Sequence, residues 1–214
     1  MKADHQSFAA IATALRSAQA PSSDFDLNPE TVLPAGRKLR PAGVLCALME
    51  QDGDLRVILT VRSSALKHHP GQIAFPGGKQ DPVDADPTAA ALREAQEEIG
   101  LDPDNVEVLG TLSTHETVTG FSVLPVVGRV RRPFIPRPEP GEVAEVFTVP
   151  LSHLLTPENY TVQSRRWRGS DRQYFTVPWG PYYIWGATAR MLRVLASAMA
   201  GDPAGNGAPG EDIR

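Results

Sequence analysis

Three glutamates, Glu94, Glu97 and Glu98, lie in the stretch REAQEEIG near the C-terminal end of a helical pattern. At 100° per residue they fall within about 100° of arc, since positions three and four apart are neighbours on a helix. Leu92, Ala95 and Ile99 fall on a different side and can pack against a sheet. The acidic face is locally unfavourable. Like charges at these spacings cost about 0.2–0.5 kcal/mol per pair, and anions in the last turn oppose the helix dipole by about 0.3–1 kcal/mol each. Arg93 relieves part of this from four residues before Glu97, in the weaker orientation for such a pair. A bound cation accounts for the rest. Carboxylates are hard oxygen ligands, and magnesium takes one or two of them together with phosphate oxygens and water. Three glutamates alone also fit a solvated charged face, so the preceding segments carry weight.

Those segments read as a phosphate side. FPGGK sets Gly77 and Gly78 directly after a short apolar piece, and glycine turns let backbone N–H groups approach an anion. Upstream, RSSALKHHPG supplies Arg62 and Lys67 as substrate-binding cations, with His68 and His69 read as surface residues. A basic loop, a glycine turn and a carboxylate-bearing helix, in that order, suggest a metal–polyphosphate site.

The elements that position these groups follow from local signals. Asp86 and Pro87 form a helix start, and Gly100 a stop. AGVLCALM and LRVILTV read as strands joined by a hairpin at Asp52-Gly53. Ile73–Phe75 is a short apolar piece. VEVLGTL, SVLPVVGRV and VAEVFTVPL read as further strands, the last following a proline-studded loop that carries Glu142. Residues 159–177 predict a hairpin around RGSD, and a final helix is expected from about Ile184 to Met199, with Trp185, Met191, Leu192 and Leu195 inward. An amphipathic N-terminal helix with Phe8, Ile11 and Leu15 on one side precedes a Pro/Ser/Asp-rich linker. The sum is an α+β domain, a mixed sheet with helices before, within and after the strands. The expected division is 1–40 for helix and linker, 41–200 for the domain, and 201–214 for a disordered Gly/Pro-rich tail.

Composition excludes some classes. The net charge of −4 over 214 residues, with no long run of either sign, argues against a nucleic-acid binder. No apolar run approaches the ~20 residues of a spanning helix, so no membrane partner is expected. Cys46, the single cysteine, sits in an apolar run and reads as a core residue. The N-terminus lacks a secretory pattern, and the expected compartment is the cytoplasm.

GGKQDPVDADPTAAALREAQEEIGL resembles the signature of the Nudix hydrolases, whose second half reads REUxEExGU with U a bulky apolar residue. Ala95 is the small residue at an apolar position of that half. With one extra residue allowed, Gly78 and Asp84 take the glycine and acidic positions of the first half. LTVRSSALKHHPGQIAFPGG resembles the second motif of the coenzyme A pyrophosphatase branch, with Lys67 where that branch usually has arginine. VAEVFTVPL and YYIWGATARML are similar to that branch as well.

The resemblance implies a Nudix fold, a mixed sheet sandwiched between helices. It implies Mg²⁺- or Mn²⁺-dependent hydrolysis of a nucleoside diphosphate linked to another group. For this branch the implied substrate is coenzyme A or its thioesters, split to 3′,5′-ADP and a 4′-phosphopantetheine product. In this reading Glu94 and Glu98 are metal ligands, and Glu97 is a third ligand or holds the attacking water. Arg93 orients the glutamates. Glu142 is a candidate general base, in competition with Glu97 and Glu98; Glu116 is a weaker one. The alternatives are a Nudix hydrolase of ADP-ribose or a related dinucleotide, and a non-catalytic module whose acidic face holds a basic partner segment. The expected assembly is a monomer or a homodimer.

Overall fold

The computed structural model describes residues 7–17, 20–33, 36–67, 69–167 and 169–202. A mixed sheet is built around two long strands, β2 (Arg40–Gln51) and β3 (Asp54–Arg62). They meet in a hairpin whose turn residues Asp52 and Gly53 both have positive φ, 53° and 82°, as the twist-matched two-residue turn demands. Along the rest of its length β2 pairs in parallel with β8 (Phe121–Val130), and β5 (Gly77–Lys79) lies antiparallel on Ala42–Val44. β4 (Ile73–Ala74) and β9 (Val143–Pro150) pair with β3, and β6 (Val106–Thr111) pairs with β8.

The sheet is covered on both faces, which is why β2 reads as a continuous apolar run rather than an alternation. Leu45 and Ala47 face helix α2 (Pro87–Ile99) and its buried Ala91, Ala95 and Ile99. Cys46 and Leu48 face the other way, into a core shared with Ile11 and Leu15 of α1 (Phe8–Leu15) and with Met191, Leu192 and Leu195 of α4 (Ala187–Met199). Helices on opposite faces of a mixed sheet are the expected sandwich. Burial pushes the Cys46 thiol up to about 12, as a core residue requires.

Helix α2 begins and ends as its sequence dictates. The Asp86 carboxylate accepts from Ala89 N–H at 2.8 Å, with Pro87 at the first helical position. Gly100 ends it at φ 71°, with Gly100 N–H bonded to Gln96 O and Leu101 N–H to Ala95 O, a pair of bonds that satisfies two terminal carbonyls.

Four elements depart from the sequence reading. The last helix starts at Ala187, not near Ile184, because Ile184 O accepts from Val177 N–H and Gly186 adopts φ 66°. Trp185 therefore lies outside the helix, bridged to Thr176 and half-buried. Leu151–Leu154 forms a short helix, α3, directly after β9. Within the linker, Ser22–Ser23 forms β1, parallel to β7 (His115–Glu116), itself on the edge of β8. That pairing is locked from the side: Ser22 Oγ lies 2.9 Å from His115 Nδ1, and His115 Nε2 lies 3.3 Å from Asp24 Oδ1. Burial opposes ionisation of Asp24, but His115, the Val118 N–H and Arg172 outweigh it and hold the carboxyl below its usual range. The remaining hairpin, β10 (Thr161–Trp167) with β11 (Ser170–Thr176), is where the sequence predicts it. Most of the tail, 203–214, lies outside the described residues. No helix among the described residues is long and apolar enough to cross a membrane.

Candidate active site

Carboxylates of Glu94, Glu98 and Glu142 converge so that one oxygen from each lies within 4.8 Å of the others. Two come from adjacent turns of α2. The third arrives by a long connection. The loop after β8 folds back onto the C-terminal end of α2, where Arg137 N–H donates to Ile99 O and Glu139 N–H to Glu98 O, both at 2.9 Å. Those bonds satisfy helix-end carbonyls and set Glu142 beside the other two acids. Ser63 N–H fixes it further by donating to Glu142 O at 2.8 Å.

Glu98 is the buried member, 4% exposed, and Gly77 N–H donates to its Oε2 at 3.1 Å. Burial pushes its carboxyl up to about 7; the Glu94 and Glu142 charges add to the rise, while the Gly77 N–H and the Arg62 guanidinium oppose it. Glu94 is also raised, first by burial and then by the Glu97 and Glu142 charges, against the pull of Arg93. Three acids this close, two of them resisting ionisation, form a site whose charge only a cation offsets well. Hard, negatively charged oxygens in this number suit Mg²⁺ or Mn²⁺. The donor set therefore fits the divalent ion that the sequence implies.

Arg93 organises the helix side. Its Nε and Nη2 donate to the two oxygens of Asp84 at 2.9 and 3.0 Å, a fork-to-carboxylate pair. It also meets Glu94 Oε1 at 3.0 Å and Glu97 Oε2 at 2.8 Å. Its hydrogen bond to Asp84 comes first among the causes that raise its pKa, and the same bond holds Asp84 low. Asp84 thus occupies the spaced acidic position suggested by counting back along the sequence.

The structure sorts the remaining expected residues. Glu97 does not join the cluster: its side chain is 57% exposed and its carboxylate is turned to Arg93. The one-turn spacing from Arg93 brings it there, while Glu94 and Glu98 project toward β5. Glu116 pairs with Arg37 at 2.9 Å and is not part of the cluster either. Arg62 is half-buried at the end of β3, close enough for its charge to act on Glu98. Lys67 is exposed in the loop beyond it, and His68 lies outside the described residues.

Gly77 and Gly78 do not form the glycine turn that the sequence suggests. They are strand residues, with Gly78 opposite Gly43 and Gly77 opposite Val44. The Gly77 N–H is committed to Glu98, and a Cβ on Gly77, at φ 150°, would lie 2.4 Å from Gly43 O. A Cβ on Gly78 would lie 2.6 Å from the Glu94 carboxylate. Both glycines let the strand approach the acids closely. Gly78→Ala is expected to displace the Glu94 carboxylate, which sits at the end of a flexible chain, and to leave the fold intact. Divalent-ion affinity, followed by calorimetry, should fall roughly 10–100-fold with little change in melting temperature.

The NUDIX domain model matches residues 39–168, and the chain belongs to the Nudix hydrolase family. Nudix hydrolase 15, mitochondrial, of Arabidopsis thaliana is 44% identical over 164 residues, 74% of this chain and 58% of that protein. An uncharacterized Nudix hydrolase, NudL, of Klebsiella pneumoniae is 37% identical over 191 residues, covering 85% of this chain and 100% of that one. The peroxisomal coenzyme A diphosphatase NUDT7 of Mus musculus is 47% identical over 128 residues, 60% of this chain and 54% of the mouse protein. The chain thus spans little more than half the length of the plant and mouse relatives. The coenzyme A branch recognised in LTVRSSALKHHPGQIAFPGG is represented among its relatives by the mouse protein.

Proposed function

We propose that the protein hydrolyses the diphosphate bond of coenzyme A or its thioesters, giving 3′,5′-ADP and 4′-phosphopantetheine or its acylated form. The observation that carries this reading is the convergence of Glu94, Glu98 and Glu142 beside Arg62 at the sheet edge. Support for the substrate comes from the likeness of the Arg62–Gly78 segment to the coenzyme A branch and from the mouse relative's activity.

In this reading Glu94, Glu98 and Glu142 hold Mg²⁺ or Mn²⁺. The ion supplies charge neutralisation on the diphosphate and activation of water. Glu98 is kept in place by the Gly77 N–H, and Glu94 by Arg93, itself anchored on Asp84. Arg62 contributes positive charge toward the diphosphate. Glu142, on the exposed side of the cluster, accepts the proton of the attacking water at its carboxylate oxygen. The water oxygen bonds to one phosphorus, the bond from that phosphorus to the bridging oxygen breaks, and two phosphomonoesters leave. Glu97 holds Arg93 from the solvent side and takes no part in the bond change.

The test is turnover of coenzyme A and of ADP-ribose side by side, with Mg²⁺ or Mn²⁺ and with chelator. Metal-dependent release of 3′,5′-ADP, faster from coenzyme A than AMP release from ADP-ribose, is expected. Preference for ADP-ribose would replace the substrate but keep the chemistry, and no phosphate-bond cleavage of either would leave a binding module.

A further inference from the structure

A second feature lies beside the carboxylate cluster, with walls drawn both from the segment that matches the family model and from outside it. A cavity of about 470 Å³ opens between the Ser23–Leu27 segment, the β10–β11 hairpin and the start of α4. Arg62 lines it and its charge acts on Glu98, and Phe75 lines it two residues before Gly77, so the cavity adjoins the cluster.

Its chemistry is uneven. Val44, Phe75, Phe175, Trp185 and Met191 give it an apolar body with aromatic surface. Its charged lining is Arg62, Arg165, Arg172 and Arg190 against Asp24 and Asp26, an excess of two positive charges. Asp26 accepts from Arg190 Nε at 2.8 Å, but Arg190 Nη1 is buried with no hydrogen-bond acceptor among the described residues. Gly186, Ala187 and Thr188, the N-terminus of α4, also line the cavity, and no side chain caps that helix. An uncapped helix N-terminus beside arginines attracts a phosphate. Aromatic walls attract a base.

We propose that this cavity binds the phosphorylated nucleoside limb of the substrate, its 3′-phosphomonoester held by Arg165, Arg190 and the first turn of α4. The inference rests on the coenzyme A reading and extends it: the 3′-phosphate is what separates the nucleoside limb of coenzyme A from that of ADP-ribose. It also gives the linker a task. The Ser22–Asn28 segment is a specificity wall, positioned by Asp24 on His115, Val118 and Arg172 and by Asp26 on Arg190. Trp185 serves the cavity because it sits outside the helix.

Calorimetric titration of the 214-residue chain, in Mg²⁺, with 3′,5′-ADP and with 5′-AMP tests this without turnover. The two ligands differ only in the 3′-phosphate. The wild-type chain should bind 3′,5′-ADP at least roughly tenfold more tightly. Arg165→Ala, at an exposed position whose loss the fold tolerates, and Arg190→Lys should each remove most of that difference while leaving 5′-AMP affinity nearly unchanged. Equal wild-type affinities, or variants that weaken both nucleotides alike, overturn the assignment. A chain that cleaves coenzyme A but does not distinguish the nucleotides refutes the cavity and spares the proposed function. A chain that distinguishes them through these arginines but leaves coenzyme A intact supports the cavity and refutes the proposed function.

Discussion

Glu98→Gln is expected to abolish nearly all hydrolysis while making the metal-free protein more stable at alkaline pH. The substitution removes the negative charge and replaces one carboxylate oxygen of the cation site by an amide NH₂, which cannot ligate a metal, and turnover should drop about 10²–10⁴-fold, the range seen when a group positioned at the reacting centre is lost. The amide can still accept from Gly77 N–H, so the local fold is kept. Stability moves the other way for an electrostatic reason. The Glu98 carboxyl is raised from an ordinary 4.5 to about 7 in the folded chain. Between those values the folded state holds a proton that the unfolded state has released. Stability therefore falls as pH rises through that window, and the full penalty applies above about 7. A neutral amide carries no such penalty. In chelator, melting curves of Glu98→Gln and wild type should coincide near pH 4 and separate at pH 8, with the variant ahead by on the order of 3 kcal/mol. A variant that is less stable than wild type at pH 8 would remove the buried-charge account.

Gly43→Ala should produce the largest loss of stability. A Cβ on Gly43 would lie 1.8 Å from Pro87 O and 3.1 Å from Ala91 N. Those are backbone atoms of α2, so no rotamer change relieves the clash. Either the helix lifts off β2 or the strand shifts, and each breaks the packing of Ala91, Ala95 and Ile99 on Leu45 and Ala47. Overpacking of this kind costs about 3 kcal/mol or more, which for a chain of this length lowers the melting temperature by roughly 6–12 °C. Thermal denaturation followed by circular dichroism measures it. The same shift would carry Glu94 and Glu98 away from Gly77 and Gly78, so activity should fall as well. A melting temperature within 2 °C of wild type, about 1 kcal/mol or less, would mean that the helix does not sit as close to β2 as described.

How much of this was legible in the sequence depends on range. Helix α2 was, because its signals are local: Asp86 and Pro87 start it, Gly100 stops it, and the two faces follow from the helical period. The β2–β3 hairpin was, because Asp52-Gly53 fits the turn. Arg93 was readable as a partner of Glu97 by spacing, and Asp84 as a spaced acid by likeness to a family pattern. Glu142 was named as a candidate base; its entry into the cation cluster depends on Arg137 and Glu139 bonding to the end of α2, a contact made across some forty residues that no local pattern encodes. Glu97 was indistinguishable from its neighbours by type and spacing, and the competition for Arg93 decides its direction. Gly77 and Gly78 looked like a phosphate turn because glycine marks any close backbone approach; that the approach is to glutamate carboxylates appears only once β5 is laid on β2. The two-residue strands β1 and β7 lack an apolar alternation, so the Asp24–His115–Ser22 lock and the cavity wall it supports had no readable signature.

The central claim is that Glu94, Glu98 and Glu142 together hold a divalent cation. Titration of the purified chain with Mn²⁺, followed by electron paramagnetic resonance of the free ion, tests it most directly. Saturable binding that weakens at least about tenfold in Glu98→Gln and in Glu142→Gln, and stays near wild type in Glu97→Gln, is the predicted result. Loss of binding in Glu97→Gln with Glu142→Gln unchanged, or no uptake by the wild-type chain even with nucleotide present, would contradict it.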